Sequence, residues 1–371
     1  MPLLNGYYSI KELVKAYPQA HYYLVIGERS NGKTYSSLDY AIERHEKNGE
    51  QFAYIRRMSE DIRRKYMNEL FSALEDNSRI SELTKGKWDR IIFMNGAFYL
   101  AKQDEKGEIQ KEQTPVGYTF ALNAMEHHKS ISYPKITTCI FDEFISRIGY
   151  LPNEFLLFSN TLSTIIRLRD NVRIFMLANT VNKFCPYFSE MGLSHIQEQK
   201  QGTVDEYVYG QSDLRVVVEY CSVSRKKGKP SDVYFAFDNP ELQMITSGAW
   251  EIGVYPHLSE GYKNKDVAFR FFIEFNDKTL NCAIVVDEKR GMFLHIFPKS
   301  NAIKIPDSDL VYTATPKERW NYKMALTKQT DEISRKIMLF FRENRVYYAD
   351  NETGEIVRNY LMWSDSYSIK N

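Results

Sequence analysis

Short, wholly apolar runs punctuate the first half of the chain: Tyr22-Tyr23-Leu24-Val25-Ile26, Phe52-Ala53-Tyr54-Ile55, Thr138-Cys139-Ile140-Phe141 and Val172 to Ala178. A strand covered on both faces has no polar side to show, so such runs predict the centre of a parallel sheet. Between them the apolar spacing turns helical. Ser36, Leu38, Ala41 and Ile42 predict an amphipathic helix ending at Asn48-Gly49. A charged helical stretch is expected from Ser59 through Asp76, and another helix over roughly 152–169. Asn95-Gly96, set between Ile91–Met94 and Ala97–Leu100, predicts a tight hairpin on the sheet's flank. Strands alternating with helices up to about residue 200 indicate an α/β class.

From about 195 to 230 the pattern changes. Gln197 to Gly202 is polar, and Ser224-Arg225-Lys226-Lys227-Gly228-Lys229-Pro230 is basic and turn-rich, which predicts a connector. Beyond it, strands are expected at Val233–Phe237, Val267–Phe275, Leu280–Val286 and Met292–Phe297, then a helix from Thr330 to Asn344 and a polar tail. The expected division is 1–196, 197–230 and 231–371, without internal repeats.

The chemistry is densest just after the first apolar run. Gly27-Glu28-Arg29-Ser30-Asn31-Gly32-Lys33-Thr34 has the spacing of a nucleoside-triphosphate loop between a strand and a helix. Gly27 and Gly32 let the backbone curl so that its N–H groups face phosphate. Lys33 supplies a mobile cation, and Thr34 a hydroxyl for Mg²⁺. Asp142 and Glu143 follow the third apolar run. Asp142 is expected to hold Mg²⁺ beside Thr34, and Glu143 to polarise a water in line with the γ-phosphate. Asn179, ending the next strand, is placed to sense that phosphate or water, or else to satisfy local backbone. Arg56 and Arg57, after the second run, either contact phosphate or DNA or are plain surface arginines. Tyr7 and Tyr8 either stack on adenine or belong to the core. Arg167 and Arg169 complement a helix end, or one reaches a neighbouring subunit's nucleotide; Lys129 is a similar candidate.

The formal net charge of +1 over 371 residues excludes a grossly basic nucleic-acid coat but permits a local basic channel, with Arg56, Arg57, Arg225, Lys226, Lys227 and Lys229 as candidates. The four cysteines, at 139, 185, 221 and 282, lack metal-ligand spacing and suit a reducing compartment. No apolar stretch reaches membrane-spanning length and no signal peptide is evident, so a soluble, cytoplasmic protein is expected. Four functions fit: a motor ATPase, a helicase or repair ATPase, a terminase with an active nuclease, and a nucleotide-dependent switch without turnover. The absence of a second phosphate loop disfavours the second, and the Asp142-Glu143 pair disfavours the last.

Gly27 to Thr34, Tyr54-Ile-Arg-Arg57, Gly117-Tyr118-Thr-Phe-Ala-Leu122, Ile140-Phe-Asp-Glu-Phe144 and Met176-Leu-Ala-Asn179, in that order, resemble the DNA-encapsidation ATPases of phi29-type tailed phages. These are relatives of large terminases in the additional-strand, catalytic-glutamate class. The resemblance is specific over roughly 1–200. It implies a P-loop ATPase domain using ATP and Mg²⁺ and a homo-oligomeric ring, typically a pentamer. It also implies action in the host cytoplasm at the portal of a procapsid, driving double-stranded DNA inward; in phi29-like members a structural RNA joins. Lys33, Thr34, Asp142 and Glu143 take the phosphate, metal and water roles, and Lys129 and Arg169 act in trans, with Arg167 the alternate. The C-terminal part is then a ribonuclease H-like domain. Its scattered acids Glu274, Asp277 and Asp287 indicate a vestigial, non-cleaving version.

Overall fold

The first apolar run becomes β1 (Tyr22–Gly27), preceded by α1 (Ile10–Ala16) and followed by α2 (Lys33–Asn48) and β2 (Gln51–Arg56). The computed structural model describes residues 8–28, 31–128, 131–146, 149–151, 153–179, 185–210, 212–221, 255–275, 278–300 and 305–367. Helix α2 stops where Gly49 takes a left-handed φ of 67° and returns its N–H to the His45 carbonyl. The single charged helix expected over 59–76 is instead a 3₁₀ turn and two short helices, α3 (Arg64–Glu69) and α4 (Ser72–Asp76), with a third, α5 (Arg79–Leu83), just beyond. Met67, Phe71, Leu74 and Ile80 are all buried, and successive breaks turn each of them inward.

Next come β3 (Arg90–Met94), β4 (Ala97–Gln103), β5 (Ile109–Lys111) and β6 (Gly117–Ala121). Asn95 and Gly96 join β3 to β4 with φ of 53° and 77°, the paired left-handed turn that matches strand twist. Then follow β7 (Ile136–Asp142), α6 (Glu154–Ile166), β8 (Arg173–Asn179), α7 (Pro186–Glu190), β9 (Val204–Val208) and β10 (Arg215–Tyr220). Helix α6 is shorter than expected because Arg167 and Leu168 both adopt positive φ, 46° and 62°.

These strands form one sheet in the order β3-β4-β6-β2-β7-β8-β1-β10-β9, with β5 on β4. The six from β6 to β10 are parallel; β4 and β9 close the parallel block antiparallel at its two sides. Strand β8 stands between β7 and β1. The class is therefore mixed α/β with a mostly parallel centre.

The connector expectation fails over 204–220. Buried Val216, Val217 and Val218 pair in parallel with Tyr22, Tyr23 and Leu24, so β10 is an integral strand of the first sheet. The basic segment 224–230 and the strand expected at 233–237 lie outside the described residues. Described residues of 8–146, 154–179 and 195–221 form one unit; those of 149–153, 185–194 and 255–367 form another.

The second unit carries β11 (Val267–Phe275), β12 (Lys278–Asp287), β13 (Gly291–Pro298), β14 (Leu310–Thr313), β15 (Tyr322–Met324), α8 (Glu332–Arg342), β16 (Val346–Tyr348) and α9 (Asn351–Ser366). Its sheet order is β15-β14-β11-β12-β13-β16. The β11–β12–β13 meander is antiparallel, while β14 and β15 run parallel to β11. The expected polar tail is α9, capped by Asp350, and it sinks Ile356, Val357 and Tyr360 into the second core. Among the described residues no helix is long and apolar enough to cross a membrane.

Candidate functional site

Because β1, β2, β7 and β8 run in one direction, their carboxyl ends open on one rim, where open α/β sheets gather ligands. Gly27, Arg56, Asp142 and Asn179 are the last residues of these strands. A cavity of about 480 Å³ lies there, with Asn31, Lys33, Thr34, Asp142, Glu143 and Asn179 in its wall.

The Gly27–Thr34 segment needs its glycines for two reasons. Gly32 has φ 95°, outside the range open to ordinary side chains. At Gly27 a Cβ would come within 2.8 Å of Cys221 Cβ, because β10 ends directly behind the loop. Arg29 and Ser30 lie outside the described residues. Lys33 is buried, and its Nζ donates to the carbonyls of Glu28 (2.8 Å) and Gly27 (3.3 Å) and to Asn31 Oδ1 (3.1 Å). It also reaches Asn179 Oδ1 at 3.5 Å. Burial presses the pKa of this ammonium down, opposed by Cys221, Asp142 and Glu28.

Asp142 and Thr34, 108 residues apart in sequence, meet here: Thr34 Oγ1 donates to Asp142 Oδ2 at 3.2 Å. The same oxygen accepts the Tyr54 hydroxyl at 3.1 Å, and Oδ1 accepts the Glu143 N–H at 3.1 Å. Burial pushes the Asp142 carboxyl up, while Arg56 and the Tyr54 and Thr34 hydrogen bonds work against that push. Two hard oxygen donors beside a cavity suit Mg²⁺, whose charge would remove the strain of burying the carboxylate. No group of three His, Cys, Asp or Glu among the described residues could hold a metal alone. A cation here would complete its shell with water and phosphate oxygens, as Mg²⁺ does in phosphate-transferring sites.

Glu143 has φ 59°, a left-handed conformation that a non-glycine residue adopts at a cost. Its carboxylate is tied to Arg56, Nη2 to Oε2 at 2.7 Å. Arg57 turns the other way. It bonds the buried Glu154 at 2.7 Å and the carbonyls of Glu143 (3.2 Å) and Phe144 (2.8 Å), bracing the strained turn.

Other expected residues fall elsewhere. Tyr8 is buried, donates its hydroxyl to Glu219 at 2.8 Å and its N–H to the Asn31 carbonyl at 3.0 Å, so it supports the loop from behind and offers no face to a base. Tyr7 lies outside the described residues, as does Lys129. The two arginines are held differently. Arg169 spends five N–H groups on backbone carbonyls: Ile166 (2.9 Å), Pro134 (3.1 Å), Ile136 (2.6 Å), Tyr133 (3.1 Å) and Ile165 (3.0 Å). That binds the end of α6 to the entry of β7 and leaves no donor for a neighbour. Arg167 is exposed, with Nη2 on the Ile131 carbonyl at 2.9 Å. Sequence reasoning missed Tyr54 and Glu219 as site-supporting residues. The signal for Tyr54 was its place two residues before Arg56, on the same face of one strand.

Residues 5–362 match the family described as Podovirus DNA encapsidation protein (Gp16). The DNA packaging protein of Bacillus phage PZA is 26% identical over 354 residues, covering 94% of this chain and 90% of that one. That of Bacillus phage phi29 is 25% identical over 352 residues, with coverage of 94% and 90%. A solved structure described as the Phi-28 gp11 DNA packaging motor shares the fold, with TM-score 0.55 and 18% identity over 99% of both chains. Another, described as the bacteriophage Phi-29 viral genome packaging motor assembly, gives TM-score 0.51 at 22% identity over 95% of this chain and 96% of that one. The family match spans nearly the whole length, and the chain belongs to the podovirus DNA encapsidation protein (Gp16) family.

Proposed function

We propose that this chain is the ATP-hydrolysing subunit of a viral DNA-packaging motor, working as a ring of like subunits at a procapsid portal in the host cytoplasm and driving double-stranded DNA inward. One observation carries the reading: Thr34 and Asp142 meet at 3.2 Å on the cavity that also holds Lys33 and Glu143. The amides of the 27–34 loop and the Lys33 ammonium bind the β- and γ-phosphates. Thr34 and Asp142 hold Mg²⁺, which supplies positive charge against the phosphate oxygens. Lys33 turns from the Gly27 and Glu28 carbonyls toward phosphate, and Asn179 lies close enough to follow it. Glu143 accepts a proton from the attacking water, which requires its carboxylate to leave Arg56 first.

Arg167, on its exposed left-handed turn, is the candidate cation for a neighbour's nucleotide. Such a cation is worth about 10³–10⁵ in rate. Mixing inactive Arg167→Ala with inactive Glu143→Gln subunits is expected to restore turnover, and absence of rescue counts against a trans role. The second unit's order, with β14 and β15 parallel to β11 beside an antiparallel meander, supports a ribonuclease H-like fold.

The test is phosphate release with and without double-stranded DNA and emptied procapsids. Turnover that rises with both, and is lost in Lys33→Ala, is expected. No phosphate release under any condition defeats the proposal.

A further inference from the structure

We infer that Tyr54 is a positioning residue: its hydroxyl fixes the Asp142 carboxylate in the orientation that receives the divalent cation, and so sets how tightly that cation is held. This rests on the reading of Asp142 as the metal-holding residue.

Tyr54 sits in the middle of β2, paired in register with Ile140 of β7, two residues before Asp142. Its residue exposure is 1%, and its ring meets Phe98 edge-on with centroids 6.5 Å apart, so the phenol is fixed by packing. Only the hydroxyl reaches the rim. There it donates to Asp142 Oδ2 at 3.1 Å, an oxygen that also accepts Thr34 Oγ1 at 3.2 Å. The Glu143 N–H holds Oδ1 at 3.1 Å but is itself part of a strained turn.

The terminal torsion of an aspartate is broad, so its oxygens stay in place only when donors hold them. With a cation present Thr34 would serve two partners, a lone pair toward the metal and its proton toward Asp142, so its place would follow the metal. Tyr54 does not move, since its ring is locked in the core. Its hydroxyl is therefore the side-chain donor to Asp142 whose place does not depend on the metal. Hydrogen bonds of this kind, one step removed from the metal, typically change metal affinity by about 10–100-fold when deleted.

Binding of a fluorescent mant-ATP, titrated with Mg²⁺, reads this without depending on turnover. Four proteins are compared: the parent chain, Tyr54→Phe, Asp142→Asn and Tyr23→Phe. Tyr23 is a buried tyrosine of the same sheet whose hydroxyl donates to the Tyr17 carbonyl at 2.7 Å, away from the rim. Tyr54→Phe is expected to raise the Mg²⁺ midpoint about tenfold or more, leaving binding in EDTA within about twofold of the parent. Tyr23→Phe is expected to lower the melting temperature and leave the Mg²⁺ midpoint in place. A parental Mg²⁺ midpoint in Tyr54→Phe, with Asp142→Asn shifted, overturns the role of Tyr54 alone. Loss of EDTA-phase binding in Tyr54→Phe also overturns it, by showing that the hydroxyl serves the fold. If the parent itself does not respond to Mg²⁺, or Asp142→Asn matches it, the reading of Asp142 fails first.

Discussion

Two sets of strand-end acids in this molecule have opposite fates. Asp142 and Glu143 close β7 beside a cavity to which Lys33, Thr34 and Asn179 are brought by other elements. In the second unit, Glu274 on β11 is bound by Lys317 at 2.5 Å. Asp287, ending β12, accepts the Lys289 and Arg290 N–H groups and the Arg290 side chain at 3.1 Å. The Arg290 side chain and those N–H groups hold its carboxyl at about 2. Both are thus occupied, Glu274 by a lysine from elsewhere in the unit and Asp287 by its own turn, as turn aspartates commonly are, while Asp277 lies outside the described residues. Residue type does not separate the two sets. What separates them is convergence: parallel strands deliver their carboxyl ends to one place, whereas a meander spreads its ends to both sides of the sheet.

The largest expected effect tests the converging set. Glu143→Gln should keep mant-ATP bound and lower phosphate release by about 10³-fold or more, the scale of a lost general base. Parental turnover in that variant would remove Glu143 from the chemistry. Arg57→Ala comes next, through the fold. It withdraws the cation from the buried Glu154, whose side chain is 2% exposed, and should cost about 3 kcal/mol of unfolding free energy in urea. A loss under about 1 kcal/mol would show that the brace behind Glu143 is dispensable.

Smaller effects belong to the second unit. Asp331 caps α8, accepting the Ser334 N–H at 3.1 Å and pairing with Lys323 at 2.9 Å. Burial alone would raise its carboxyl, but Lys323 and Ser334 outweigh burial and hold it at about 2. A folded pKa below the unfolded value gives stability that is present above about pH 4 and lost as pH falls toward 2. Asp331→Asn, which keeps a cap but loses the Lys323 pair, should therefore cost about 1 kcal/mol at neutral pH and flatten acid unfolding of this unit across that window. An unchanged acid transition would contradict the assignment. Smallest of all, Glu274→Gln should leave ATP turnover at the parental rate and shift stability by no more than about 1 kcal/mol. A measurable nuclease activity that this change abolishes would erase the contrast between the two sets.

The strands of the first sheet were legible because burial on both faces leaves no polar residues to blur the pattern. The loop was legible because glycine is required at Gly32 by backbone conformation and at Gly27 by the approach of Cys221. Strand β10 was not. Its three valines are hemmed by Arg215 and Glu219, and their pairing partner β1 lies almost two hundred residues upstream. Helix α9 was hidden by its opening, Asn351-Glu-Thr-Gly-Glu, which has the composition of a turn. Asp350 caps it, and Gly354 is needed because a Cβ there would fall 2.2 Å from the Tyr255 ring. Arg169 was misjudged because a guanidinium's carbonyl partners leave no spacing to read.

The most direct measurement is a structure of the chain with Mg²⁺ and a non-hydrolysable ATP analogue. The account predicts the triphosphate in the 27–34 loop, the metal about 2.1 Å from Thr34 Oγ1 with Asp142 adjacent, and Glu143 released from Arg56 and facing the γ-phosphate. A nucleotide bound away from that loop, or a metal out of reach of both Thr34 and Asp142, would contradict it.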